Sequence, residues 1–103
     1  MLYDILASIE DFEWDTGNST KNWNKHKVSG KEAEEVFFNT PLIIIEDTKH
    51  SDKEDRWLAF GFADQGKFIT IAFTIRKKNL RIIMAMTMNR KERSWYNAQK
   101  ENT

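Results

Sequence analysis

Cysteine is absent from this 103-residue chain, which excludes disulfides and thiolate metal sites and suits a reducing compartment. With one proline and four glycines, the chain has no glycine-rich phosphate loop, and it shows no Ser-His-Asp or cysteine nucleophile arrangement. No apolar run approaches the roughly 20 residues that span a bilayer. The first ten residues carry Asp4 and Glu10 instead of a basic segment followed by an apolar one, so no secretion signal and no membrane partner are expected, and the expected location is cytoplasmic. Net charge is also missing, at +0, but the balance along the chain is uneven. Residues 76–103 hold 8 basic side chains against 2 acidic, a net of +6, and residues 1–75 hold 8 against 14, a net of −6. A basic closing quarter suits a polyanionic partner; the plainer alternative is a set of solvated turn and helix faces.

Hydrophobic side chains are present in quantity. At 40 % hydrophobic and 13 % aromatic residues, one domain spanning residues 1–103 has enough apolar area to offset chain entropy without staples. Three runs between Arg56 and Met88 alternate with the two-residue period of a strand. Leu58, Phe60 and Phe62 share a face in the first run, and Ile69, Ile71, Phe73 and Ile75 in the second. In the third, Leu80, Ile82, Met84, Met86 and Met88 fall opposite Arg81, Ile83, Ala85 and Thr87. The connectors Asp64–Lys67 and Lys77–Asn79 are short and polar, which predicts an antiparallel meander. Leu42 to Ile45, β-branched and strongly apolar, predicts a further strand, followed by a charged loop over Glu46–Lys53.

Around this sheet the pattern predicts helices. Leu2, Ile5, Leu6 and Ile9 have helical spacing. Phe12-Glu13-Trp14-Asp15 reads as a short extended segment with both aromatics inward. Asp15 or Thr16 is placed to cap a helix from Asn18 to His26, on which Asn22, Lys25 and His26 share a face. Ser29 and Glu32 form a capping box, with Val28 placed to staple against Ala33. Ala33, Val36 and Phe37 then give an apolar stripe that Asn39-Thr40-Pro41 ends. Asn89 and Glu92 form a second capping pair, opening a final helix to about Gln99.

Phe12-Glu13-Trp14-Asp15, Gly17-Asn18, Lys21-Asn22, Lys25-His26, Val28-Ser29, Glu32-Ala33 and Val36-Phe37 resemble the N-terminal motif of the BrnT toxins. The similarity continues through Glu46-Asp47, Lys49-His50-Ser51, Arg56, Leu58-Ala59, Gly61, Phe73-Thr74, Arg81-Ile82-Ile83, Ala85, Lys91-Glu92-Arg93 and Tyr96. The resemblance implies a RelE-like α+β fold: an antiparallel meander sheet with two helices on its N-terminal side and one at the C-terminus. It further implies the toxin of a type II toxin–antitoxin system, a ribonuclease that arrests translation. The implied partner is a ribbon-helix-helix antitoxin that dimerises and binds its own promoter, so that DNA is met only through the antitoxin and a 2:2 hetero-oligomer is compatible. No cofactor and no metal are expected. The chain departs from the family at Ile83-Met84-Ala85-Met86-Thr87, where the family usually reads Ile-Ser-Ala-Arg and then a polar or acidic residue.

Metal-free RNA cleavage needs a base for the 2′-hydroxyl, an acid for the leaving 5′-oxygen and fixed cations beside the phosphorane. Arg81, Arg93, Tyr96, His26 and Lys25 form the expected catalytic set, and Arg76, Lys77, Arg56, Arg90 and Lys91 the expected RNA contacts. Each has a structural alternative: Arg81 pairing with a carboxylate, Tyr96 completing the core, His26 at helix-end carbonyls, Lys25 in solvent, and Arg56 paired within Asp52–Asp55. His50 with Glu46 and Asp47 lacks a third well-spaced metal ligand. The methionine stripe reads as core filler or as an apolar surface for an antitoxin. Met86 carries no charge, which leaves three readings: other cations take over, the toxin is weakened, or the residue was replaced. The alternative to a ribonuclease is a non-catalytic interaction protein that binds its antitoxin and aids autorepression. The nuclease reading expects Arg81, Arg93 and Tyr96 together at one edge of the sheet.

Overall fold

The computed structural model describes residues 2–14, 16–50 and 54–101. The alternating runs form a five-stranded sheet of β1 (Asp11–Glu13), β2 (Ile43–Glu46), β3 (Trp57–Phe62), β4 (Phe68–Arg76) and β5 (Asn79–Thr87), in the order β1-β5-β4-β3-β2. Neighbours from β2 to β5 are antiparallel. β1 makes the sheet mixed, because it returns to lie parallel to β5 with Phe12 beside Leu80 and Glu13 beside Arg81. Helices α1 (Leu2–Ala7), α2 (Thr16–His26) and α3 (Gly30–Val36) belong to the N-terminal third, and α4 (Arg90–Glu101) follows the sheet. The α+β architecture expected from the sequence is therefore present.

The helix starts have identifiable causes. Ser29 Oγ accepts from Glu32 N (3.1 Å) and Glu32 Oε1 accepts from Ser29 N (3.0 Å), satisfying two amides at the first turn of α3. Asn89 and Glu92 repeat the exchange at α4, at 2.8 and 3.0 Å. Asp15 lies outside the described residues, and Thr16 is the first helical residue of α2. Residues 51–53 of the charged loop are also outside them; the loop before them contains a 3-10 turn, Thr48–His50.

Each face of the sheet carries helices. On one, Ile69, Ile71 and Phe73 of β4, Leu80, Ile82 and Ala85 of β5 and Ala59 of β3 share a core with Val28, Ala33 and Val36, with Phe12, Trp14 and Phe37 packed at its border. On the other, Tyr96 of α4 is fully buried with its ring 5.9 Å from Phe68, and Trp95 stands 5.0 Å from Phe60.

The third run departs from its simple alternation. Phe73 pairs with Ile82 and Ala72 with Met84, which leaves Ile83 as the extra residue of a β-bulge. Beyond it the two faces exchange. Ala85 takes the core position, while Met84 and Met86 turn to the α4 face opposite Ala72 and Thr70. The methionines are thus half-buried flank residues and not core filler.

At Gly61 a β-carbon would meet Val36 Cγ1 at 2.8 Å, so α3 approaches β3 too closely for a side chain. Gly61→Ala is expected to lower the unfolding free energy by about 1–3 kcal/mol, the usual range for overpacking, measured by urea denaturation.

Candidate nucleic-acid interface

Helix α2 has no aliphatic residue, and Asn22 is the one buried side chain among its described positions. β1 covers the outer edge of β5 only from Asn79 to Arg81. Further along that edge, the Ala85 N–H donates to Asn22 Oδ1 (2.9 Å), while Asn22 Nδ2 donates to the Val28 carbonyl (3.1 Å). One amide therefore fixes a polar helix against a strand edge that would otherwise bury an unmatched donor. The sequence places Asn22 on the face of Lys25 and His26 but gives no sign that it is the anchor.

The consequence is a groove of about 330 Å³ between α2 and the bulge of β5. Lys21, Lys25 and His26 line it from α2, Arg56 from the approach to β3, and Ile83 and Met84 from the bulge. Among the described residues, Lys21, Lys25 and His26 make no ion pair and no side-chain hydrogen bond. Their donors are left for a ligand, and a set of cations converging on a concave site is the arrangement that takes an anionic backbone.

The arginines of the meander are differently placed. Arg76 makes a two-pronged contact with Glu54, Nε to Oε2 at 3.1 Å and Nη2 to Oε1 at 3.0 Å. That hydrogen-bonded guanidinium, with the charges of Arg76, Arg81 and Arg56, holds the Glu54 carboxyl below the usual range against a modest burial cost. Arg81 pairs with Glu13 (3.4 Å), which also accepts from Asn79 (3.0 Å). Arg81 and Arg56 thus border one charged cluster with Glu54, and Arg56 links it to the groove. Lys77 is exposed in the β4–β5 turn, with φ 57°.

Arg93 and Tyr96 lie elsewhere, contrary to the expectation of one shared edge. Arg81 stands opposite Thr74, whereas Arg93 lies over the Phe68 ring at 4.4 Å. Both belong to one face, but Thr74 lies six residue steps along β4 from Phe68, about 20 Å at the rise of a strand. Tyr96 is fully buried, its hydroxyl donates to the Pro41 carbonyl, and burial pushes its phenol above the ordinary value. Arg90 and Lys91 are exposed at the start of α4, Lys91 beside Ile45, Phe60 and Trp95.

His50 Nδ1 contacts the Asp47 carboxylate at 3.1 Å, and no metal-binding cluster occurs among the described residues. No helix among them is long and apolar enough to cross a membrane.

Residues 14–92 match the sequence pattern of the ribonuclease toxin BrnT of type II toxin–antitoxin systems. The chain belongs to the BrnT family. Its fold is similar to the crystal structure of the Brucella abortus ribonuclease toxin BrnT, with a TM-score of 0.61 at 20 % identity, over 78 % of this chain and 97 % of that one. No curated protein matches it. The family match covers Lys21, Lys25, His26, Arg56 and Arg81, and ends before Arg93 and Tyr96. As the toxin of such a system, this BrnT-family chain has a cognate antitoxin as its partner.

Asn22→Leu leaves the Ala85 N–H and the Val28 carbonyl unmatched, which is expected to cost about 1–3 kcal/mol for each buried group. Hydrogen exchange should accelerate in α2 well before it does in β3 and β4; equal acceleration in all three would show that Asn22 has no special hold on the helix.

Proposed function

We propose that the chain is a metal-independent endoribonuclease that arrests translation by cutting RNA held in the groove between α2 and β5. The observation that carries this reading is the convergence of Lys21, Lys25 and His26, without internal partners, beside Arg56. His26 is the group suited to proton transfer, because an imidazole can both accept and donate a proton through its ring nitrogens. Lys21, Lys25 and Arg56 supply fixed positive charge for the phosphate in its pentavalent state. Arg81, Arg76 and Lys77 extend the positive surface along the meander, with Glu13 and Glu54 as the carboxylates an RNA phosphate displaces. Arg90 and Lys91 offer outer contacts, and Arg93 and Tyr96 serve the reaction through the seating of α4. The partner on this reading is a ribbon-helix-helix antitoxin in a hetero-oligomer, 2:2 being compatible, that brings the toxin to DNA in the cytoplasm.

A second reading is favoured by the two methionines. Met84, a thioether, lines the groove, and Met86 stands opposite Thr70, whose hydroxyl is buried without a hydrogen-bond partner. Nothing at these positions stabilises negative charge. On this reading the chain is a non-catalytic interaction protein that binds its antitoxin and aids autorepression. A guanidinium at position 86 gains the Thr70 hydroxyl as a neighbour and restores the missing cation.

Induction in cells without the antitoxin, combined with RNA cleavage by the purified chain, separates the two. The ribonuclease reading expects growth arrest and cleavage, with Lys25→Ala and His26→Ala each lowering the rate by about 100-fold or more. Activity that appears only with Met86→Arg supports an intact site weakened at that position. No arrest and no cleavage from either form overturns the nuclease assignment for this chain.

A further inference from the structure

We propose that the hollow between α1, β1 and the end of α3 receives an amphipathic, Lys/Arg-bearing helix of the cognate antitoxin. The proposal rests on membership of a toxin–antitoxin family and is independent of whether RNA is cut. The hollow measures about 510 Å³, larger than the RNA groove, and its walls are chiefly Leu6, Ile9, Phe12, Phe37, Phe38 and Leu42. That is the size and apolar character of a built binding cleft. Phe38 is 76 % exposed at its rim, edge-on to Phe12 at 6.0 Å, although a phenylalanine gains by leaving water.

Charge selects the partner. Glu10 and Asp11 line the hollow. Burial, followed by the Asp11 charge, pushes the Glu34 carboxyl above its ordinary value, so Glu34 adds to the acidic character around Asp11. Lys78 lies 3.5 Å from Glu10, but that pair is largely in solvent and only partly offsets the rim. A nucleic acid is repelled here, and a cationic polypeptide is attracted. The free edge of β1 is only three residues long, too short to template an added strand, so the apolar face of a helix is the form that fits.

Two synthetic helices of about four turns, with the same leucine stripe but Lys in one and Glu in the other, test the surface by fluorescence anisotropy on the full chain. The Lys helix should bind about tenfold tighter, a difference of about 1.4 kcal/mol; Asp11→Lys should abolish most of that difference, and Phe38→Ala should weaken both helices alike. In the complex with the co-expressed antitoxin, amides of residues 6–12 and 37–42 should become protected from exchange. Equal binding of the two helices, indifference to both substitutions, or protection confined to other regions overturns the proposal. So does a concentration-dependent dimer that Phe38→Ala dissociates, because the occupant is then a second copy. RNA binding should be unchanged by Phe38→Ala. A chain that binds the Lys helix but no RNA would sink the ribonuclease reading alone.

Discussion

The outer edge of β5 is the constraint on which the rest of the molecule depends. A strand edge presents backbone donors that must find acceptors once they are buried. Here β1 supplies pairing over three residues, and beyond them a single carboxamide, Asn22, takes over at Ala85. The bulge at Ile83 lies between these two regimes, where neither β1 nor Asn22 pairs with the strand. It is also where the groove forms, since Ile83 and Met84 line one side of it and α2 the other. Sheet geometry and cation placement are thus one problem: whatever holds α2 to β5 also holds Lys21, Lys25 and His26 over the bulge.

The charge along the chain divides in space in a more specific way than the basic closing quarter implies. Arg76 and Arg81, both in that quarter, are committed to Glu54 and Glu13. Lys21, Lys25 and His26, which make no ion pair among the described residues, come from α2, inside the stretch whose net charge is negative. An exposed ion pair is worth little and exchanges partners readily, so a phosphate chain lying on the α2 groove can also draw on Arg81 and Arg76. Acidic residues gather instead near α1 and β1, around an apolar hollow that suits a polypeptide. The two surfaces therefore discriminate between partners by sign of charge.

Much of this was legible in the sequence because local rules agreed with the tertiary outcome. The capping boxes at Ser29 and Asn89, the stripe of Ala33 and Val36, and the alternation of β3 and β4 each have a cause within a few residues. What escaped had causes far along the chain. β1 pairs with residues 68 positions away, and nothing in Phe12-Glu13-Trp14 fixes a parallel partner. The bulge cannot be read from a run in which Ile82, Ile83 and Met84 are all apolar, so the methionines fall on the wrong face under strict alternation. Arg93 and Tyr96 follow the basic segment in sequence, yet α4 docks beside Phe68, at the far end of β4 from Arg81. The Asn22 anchor escaped for another reason: polar helices are usually read as solvated, and only the structure shows which amide is buried.

The central claim, that RNA phosphates sit between α2 and the bulge, is tested most directly by the salt dependence of binding to a non-cleavable single strand. Each phosphate contact removed lowers the slope of log affinity against log salt by about 0.7 for single strands. Lys21→Ala with Lys25→Ala should therefore flatten the slope by about 1.4, whereas Lys100→Ala on α4, over Phe62, should leave it unchanged. An unaltered slope for the α2 pair, or an equal loss from Lys100→Ala, would contradict the account.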